Sequence, residues 1–286
     1  MEAKQLRGFE LAGLRLVVEV PTGWNWVWPD VGSQRSCSFE KPDIHVAVHA
    51  LREQRVLEHA QLYSHEGSLF EAERCGGNSY LLVSGDRRLA RLDADARRCD
   101  VWLPPTAIRS RVLPLARPLA DLVLIHRALA RGALAVRATA AVRRGRALVV
   151  LGESRLADPK PGTVIWAGWL LLEPRVGGAW VYPLPSTLQT GVTPQVGALL
   201  EGLQTTQPGS NDDSLTQILD PESAAAEILR FAFAPVTGDT SANPMLEAAT
   251  RLAESVSTLR LGAVGGERFG WRRTRSASCL VPPAGA

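Results

Sequence analysis

Arg146-Ala147-Leu148-Val149-Val150-Leu151-Gly152-Glu153-Ser154 is an apolar strand ending in G-x-S, and the residues just after it govern the choice of fold. A strand of this kind that holds polyphosphate runs on into glycines and then Lys-Ser or Lys-Thr at the start of a helix. Backbone N–H groups and one ammonium there cradle the anion. This chain continues instead as Arg155-Leu156-Ala157-Asp158-Pro159-Lys160-Pro161-Gly162. The strand belongs to a nucleotide-binding setting and the loop does not.

Upstream, Pro118 suits the first position of a helix whose apolar face is Leu119, Leu122, Val123, Ile125, Ala128 and Leu129, with Gly132 just past its end. A strand over Ala133–Val142 comes next, then the turn Arg143-Arg144-Gly145 and the strand into Gly152. Downstream, Trp169–Leu172 and Ala179–Tyr182 flank Gly177-Gly178 and read as a hairpin. Residues 204–217 lack large apolar side chains apart from Leu215 and read as a surface loop. Asp220-Pro221-Glu222 opens a helix through about Phe233, and Asn243-Pro244 opens another through about Ser255. The second feeds a last strand at Val256–Leu261. Towards the N-terminus, residues 9–105 are β-rich, with strands at Leu14–Val20, Ile44–Ala50, Ser79–Val83 and Val101–Leu103.

The 286 residues carry 45% apolar and 21% charged side chains, ordinary for a chain that buries a core. A net charge of +3 gives no case for nucleic acid. Lysine stands only at Lys4, Lys41 and Lys160, an imbalance that fits codon bias and carries no function. No stretch reaches the ~18–20 apolar residues of a membrane span. The polar start Met1–Gln5 lacks a signal pattern, so the expected location is the cytoplasm. Cys37, Cys75, Cys99 and Cys279 are scattered and support neither a zinc site nor a disulfide framework.

The order of these pieces resembles the HPr kinase-related family, P-loop proteins of the phosphoenolpyruvate-carboxykinase type. Ala138–Val142, Leu148–Ser154, Gly168–Leu172, Tyr182-Pro183-Leu184-Pro185 and the late Leu252–Leu261 match in sequence order, covering roughly 115–262. The resemblance implies an α/β fold with an HPr kinase-like core behind a β-rich N-terminal part. The expected division is 1–115, 116–270 and a flexible tail at 271–286. It also implies ATP, magnesium and a serine hydroxyl acceptor on a peptide or protein.

Three parts of that phosphoryl-transfer site depart from the pattern. Arg155, Leu156, Ala157 and Asp158 replace the glycines and Lys-Ser, adding side chains and a negative charge where phosphate needs bare backbone. Glu173-Pro174 stands where the family has two aspartates for magnesium, and Arg137 where it has a histidine. Only 13 residues separate Ser154 from Gly168, with Pro159, Pro161 and Gly162 among them, too broken for the usual helix. If a nucleotide binds at all, Gly152, Ser154 and Lys160 are the residues to hold it. Lys160 between two prolines reads equally as a solvated loop residue, and Glu173 as a charge at a strand end.

Trp24, Trp26 and Trp28 recur at period 2 and share one face of an extended segment, either a platform for a partner or a cover on the core. His45 and His49 lie four apart on one strand face, ~13 Å by strand rise, too far to share a metal. His126 falls on the helix and reads as core. No catalytic residue and no metal ligand emerge. The expectation is a non-catalytic HPr kinase-like protein that binds or scaffolds a protein or peptide partner, with no nucleic acid, no membrane insertion and oligomerisation left open. The alternative is an ATP-dependent serine kinase. If the loop is dead, Leu156 is expected to pack over the place of the phosphates.

Overall fold

The computed structural model describes residues 4–11, 13–22, 41–50, 62–64, 71–75, 79–84, 87–93, 95–103, 116–152, 161–184, 197–206, 216–233 and 242–261. The fold is mixed α/β, mostly strands, with three helices among the described residues. Eight strands form the first sheet: β1 (Lys4–Leu11), β2 (Leu14–Pro21), β3 (Ile44–Ala50), β4 (Leu62–Ser64), β5 (Glu71–Cys75), β6 (Ser79–Ser84), β7 (Arg87–Leu92) and β8 (Arg98–Leu103). Their order is β1-β2-β3-β8-β7-β6-β5-β4. Along β2 the residues Leu14, Leu16, Val18 and Val20 are buried while Arg15 is exposed, the alternation of a sheet with one covered face.

Helix α1 (Ala116–Ala130) leads into the second sheet: β9 (Leu134–Arg143), β10 (Arg146–Leu151), β11 (Val164–Arg175), β12 (Gly178–Pro183), β13 (Ala198–Thr206), β14 (Thr216–Ile218) and β15 (Thr258–Leu261). Helices α2 (Pro221–Arg230) and α3 (Ala242–Ser255) precede the last of these strands. The order is β10-β9-β11-β12-β13-β15-β14, and β10 also pairs in parallel with β13. That extra pairing closes β9 to β13 into a barrel-like ring. β12 and β15 share one edge of β13, β12 along Ala198–Leu200 and β15 along Leu203–Thr206.

Small residues make the ring tight. Trp166 is among the largest fully buried side chains and belongs to a core with Ala138, Ala140, Ala147, Ala179 and Ala198. α2 and α3 cover the same core through Ala225, Ile228, Met245, Ala248, Ala249 and Leu252. The opposite face of the sheet joins the first sheet in a second core, with α1 between them. Asp121 to Ala128 are therefore all buried, where the sequence announced one apolar face. Cations at the end of α1 tie it to both sheets. Arg127 donates to the Asp95 carbonyl at 3.1 Å, and Arg131 reaches Asp43 at 3.4 Å and Glu173 at 3.7 Å.

Many expected elements stand within a residue or two of their places, and β9 to β12 share one sheet. Others differ, β11 beginning at Val164 rather than Trp169 and β8 at Arg98 rather than Val101. Residues 204–206 and 216–218 are strand rather than surface loop, because β15 supplies pairing for both β13 and β14. α2 stops at Arg230 rather than Phe233, because the next residues are captured by β9. β1, β4, β5, β7 and β13 have no counterpart among the expected strands. The expected tail at 271–286 lies outside the described residues. No helix among the described residues is long and apolar enough to cross a membrane.

Candidate functional site at the end of strand β10

β10 ends with Leu151 opposite Ala138 of β9. Gly152 then turns with φ of +88° and donates its N–H to the Arg137 carbonyl at 2.8 Å. From that point a different segment takes over as β9's neighbour. Arg137 N–H donates to the Phe231 carbonyl and Phe233 N–H to the Ala135 carbonyl, both at 2.8 Å. Val136 and Ala232 form an isolated antiparallel bridge. Phe231–Phe233 thus extends along β9 the line that β10 vacates. A Cβ on Gly152 would lie 3.0 Å from the Phe231 ring.

This is the carboxyl end of three parallel strands, β10, β13 and β15, the edge where open α/β sheets place their ligands. An anion there is helped by a helix N-terminus. The described residues bring a C-terminus instead: Phe231 is the C-cap of α2, its N–H bonded to the carbonyls of Ile228 and Leu229. The negative end of the helix dipole opposes phosphate. Arg230 lies 5.9 Å over the Phe231 ring and is drawn to Glu227 at 3.3 Å.

Chain length adds an independent limit. β9 pairs antiparallel with both β10 and β11, so β10 and β11 run parallel with one strand between them. β11 begins at Val164 opposite Val142, four residues along β9 from Ala138, about 13 Å at strand rise. A phosphate loop from its first glycine through Lys-Ser takes about eight residues. Begun at Gly152, it would leave only 160–163, about 6 Å of helix at 1.5 Å per residue. A full loop and a returning helix do not fit.

Next to Gly152 on the same edge sits a polar cluster that the sequence reading missed. Glu227 of α2 is 8% exposed. It accepts from the Thr205 hydroxyl at 3.3 Å, from Arg260 at 2.9 Å and from Arg230 at 3.3 Å. Charge-assisted bonds of this kind satisfy a buried carboxylate and hold α2 against β13 and β15. They also commit the Arg230 and Arg260 guanidinium groups to an internal acid.

Glu173 of β11 is likewise committed. Arg175 donates to it from Nε at 2.9 Å and from a terminal nitrogen at 2.6 Å, and donates to the Tyr182 hydroxyl at 2.7 Å. Its guanidinium lies 5.4 Å over Trp180 and 5.8 Å over Tyr182. Burial, and then the Glu173 charge, push the Tyr182 phenol up to about 12. Through Glu173 this network fastens the β11–β12 hairpin to Arg131, just past the end of α1.

Of the residues singled out from sequence, Gly152 is at the strand end as expected. Ser154, Leu156, Lys160, Trp24, Trp26 and Trp28 lie outside the described residues. His45 meets Glu19 at 3.4 Å and His49 meets Asp100 at 3.0 Å, two separate pairs. His126 is buried, and that burial drops its imidazole to about 4. Cys99 is a buried free thiol whose pKa is raised by that burial. Among the described residues no three His, Cys, Asp or Glu side chains gather as a metal site would need. Phe231 is reachable from sequence through the period-2 run Arg230-Phe231-Ala232-Phe233, which suits extended chain better than a helix end. Comparison with protein-family models finds no match, and a search of curated proteins finds none either.

Proposed function

We propose that this chain is a non-catalytic, HPr kinase-like cytoplasmic protein that acts as a binding or scaffold subunit for a protein or peptide partner. One observation carries the reading: Phe231, at the C-terminus of α2, lies against Gly152 where a phosphate loop would open. The short 152–163 connection and the commitment of Glu227, Arg260 and Glu173 to internal pairs support it. The rival reading, a magnesium- and ATP-dependent serine kinase working with Gly152, Ser154 and Lys160, draws only on the positive φ of Gly152.

A thermal shift assay with ATP or GTP and magnesium separates the two. Ligand at 100 times its dissociation constant stabilises by ~2.7 kcal/mol, a rise of a few degrees for a chain of this size. No shift is expected, and a clear one would overturn the proposal. Affinity capture and mass spectrometry, repeated with the Trp24, Trp26 and Trp28 alanine variant, then tests whether a partner is held and whether these tryptophans hold it.

A further inference from the structure

The β9–β10 hairpin closes on a tip of three arginines. Arg143 and Arg146 form its closing pair, and Arg144-Gly145 is the two-residue turn between them. Both turn residues have positive φ, +52° and +74°, as a type I′ turn requires. Asn-Gly or Asp-Gly is the favoured pair there, because a longer L side chain is strained in the left-handed region. Arg146 stands directly opposite Arg143, and like charges so placed repel. Arg146 has an acid of its own, Glu201 at 2.5 Å, and stays 62% exposed. Arg143 and Arg144 meet no carboxylate among the described residues, and Arg144 is exposed.

The tip is open. A Cβ on Gly145 would meet nothing within 4 Å, and the same holds for Gly162, just before β11. Continuing the β9–β11 register from Val142↔Val164 brings Gly162 to the level of Arg144. Codon bias turns lysine into arginine, but it does not put a cation where a turn favours Asn or Asp, or two cations in one closing pair. Two local rules are broken at one spot, and functional sites are where such breaches are expected.

We propose that this tip is the docking point for an acidic segment of a polypeptide partner, one carrying carboxylates on alternate residues. The site supplies the partner's chemistry for the scaffold reading above and rests on that reading. In an extended segment alternate side chains share a face at ~6.6 Å, a spacing that two long arginine side chains from adjacent residues can match. Guanidinium forks take carboxylates in bidentate fashion. A nucleic-acid backbone fits less well. Its phosphates call for several cations along a track, whereas Glu201 already holds Arg146 and the net charge is only +3.

Fluorescence anisotropy on the full chain tests this, with a short labelled peptide alternating Glu and Ser, its Gln counterpart, and a single-stranded oligonucleotide of similar charge. The Glu peptide is expected to bind, more weakly as salt rises, and the other two are not. Arg143→Thr and Arg144→Asn together should lower the affinity at least ~10-fold. The same pair should raise the urea midpoint, because it removes the like-charge contact and suits the turn. No binding of the Glu peptide, equal binding of the Gln peptide or the oligonucleotide, or an unchanged affinity in the double variant overturns the proposal. So does a fall in the urea midpoint, which would make these arginines structural. Such a failure without a nucleotide-induced thermal shift leaves the scaffold reading standing.

Discussion

Replacing Gly152 by alanine tests the contact that closes the end of β10. Two costs add. An L-residue in the left-handed region pays about 1–2 kcal/mol, and Gly152 has φ of +88°. The new Cβ would also stand 3.0 Å from the Phe231 ring, so the ring must move, an overpacking cost of about 1–3 kcal/mol. Gly152→Ala is therefore expected to destabilise by about 2–5 kcal/mol in urea unfolding. Phe231→Ala removes a half-buried ring and its own stability. In the double variant the alanine at 152 has nothing to strike, so the combined loss should fall short of the sum by about 1 kcal/mol or more. Additivity within about 0.5 kcal/mol would refute the contact, as would a harmless Gly152→Ala. A double variant that gains nucleotide affinity would show that Phe231 alone was blocking a competent site.

Gly197→Ala should be among the most damaging small changes, because its Cβ would lie 2.2 Å from the ring of Tyr182, which is 5% exposed and held by Arg175. A loss of about 2–4 kcal/mol in thermal or urea unfolding is expected, relieved by Tyr182→Ala and not by Tyr182→Phe. Arg260→Ala should cost about 1–3 kcal/mol and Arg230→Ala under about 1 kcal/mol, since Arg260 makes the shorter bond to Glu227 and Arg230 is the more exposed partner. Equal losses would count against this arrangement of the cluster. His126 falls from 6.5 to about 4 through burial, so the unfolded chain binds more protons in that window. Stability should be full above pH 6.5 and decline as pH falls towards 4, by up to roughly 3 kcal/mol from this one residue. His126→Phe should flatten that part of the pH profile, and an unchanged slope would refute the assignment.

Local signals are legible where they act over one or two turns. Asp220 caps α2 as its position before Pro221 implies, accepting from the Ser223 N–H at 2.9 Å. The alternation of Leu14–Val20 locates β2, and Arg144-Gly145 the turn between β9 and β10. β1 is hidden because an edge strand with Lys4, Arg7 and Glu10 lacks an apolar period. Gln204–Thr206 is hidden because its polar residues are ordered by β15, some 50 residues later in the chain. Glu227 resembles any helix-surface acid until Thr205 and Arg260 close around it.

The alternation of strands and helices, the helix starts, the apolar strand into Gly152 and the absence of a glycine-Lys-Ser pattern after it are all written in the order of the amino acids. They reflect backbone preferences and side-chain periods, which neighbours a few residues apart set between them. Folding in three dimensions was needed to bring β10 to β13 and close a ring, to bury Asp121 to Ala128 of α1, and to lay Phe231 against Gly152. Each of these joins residues far apart in the chain. Such contacts are chosen by which backbone edges remain unpaired and which apolar faces remain uncovered once the local elements have formed.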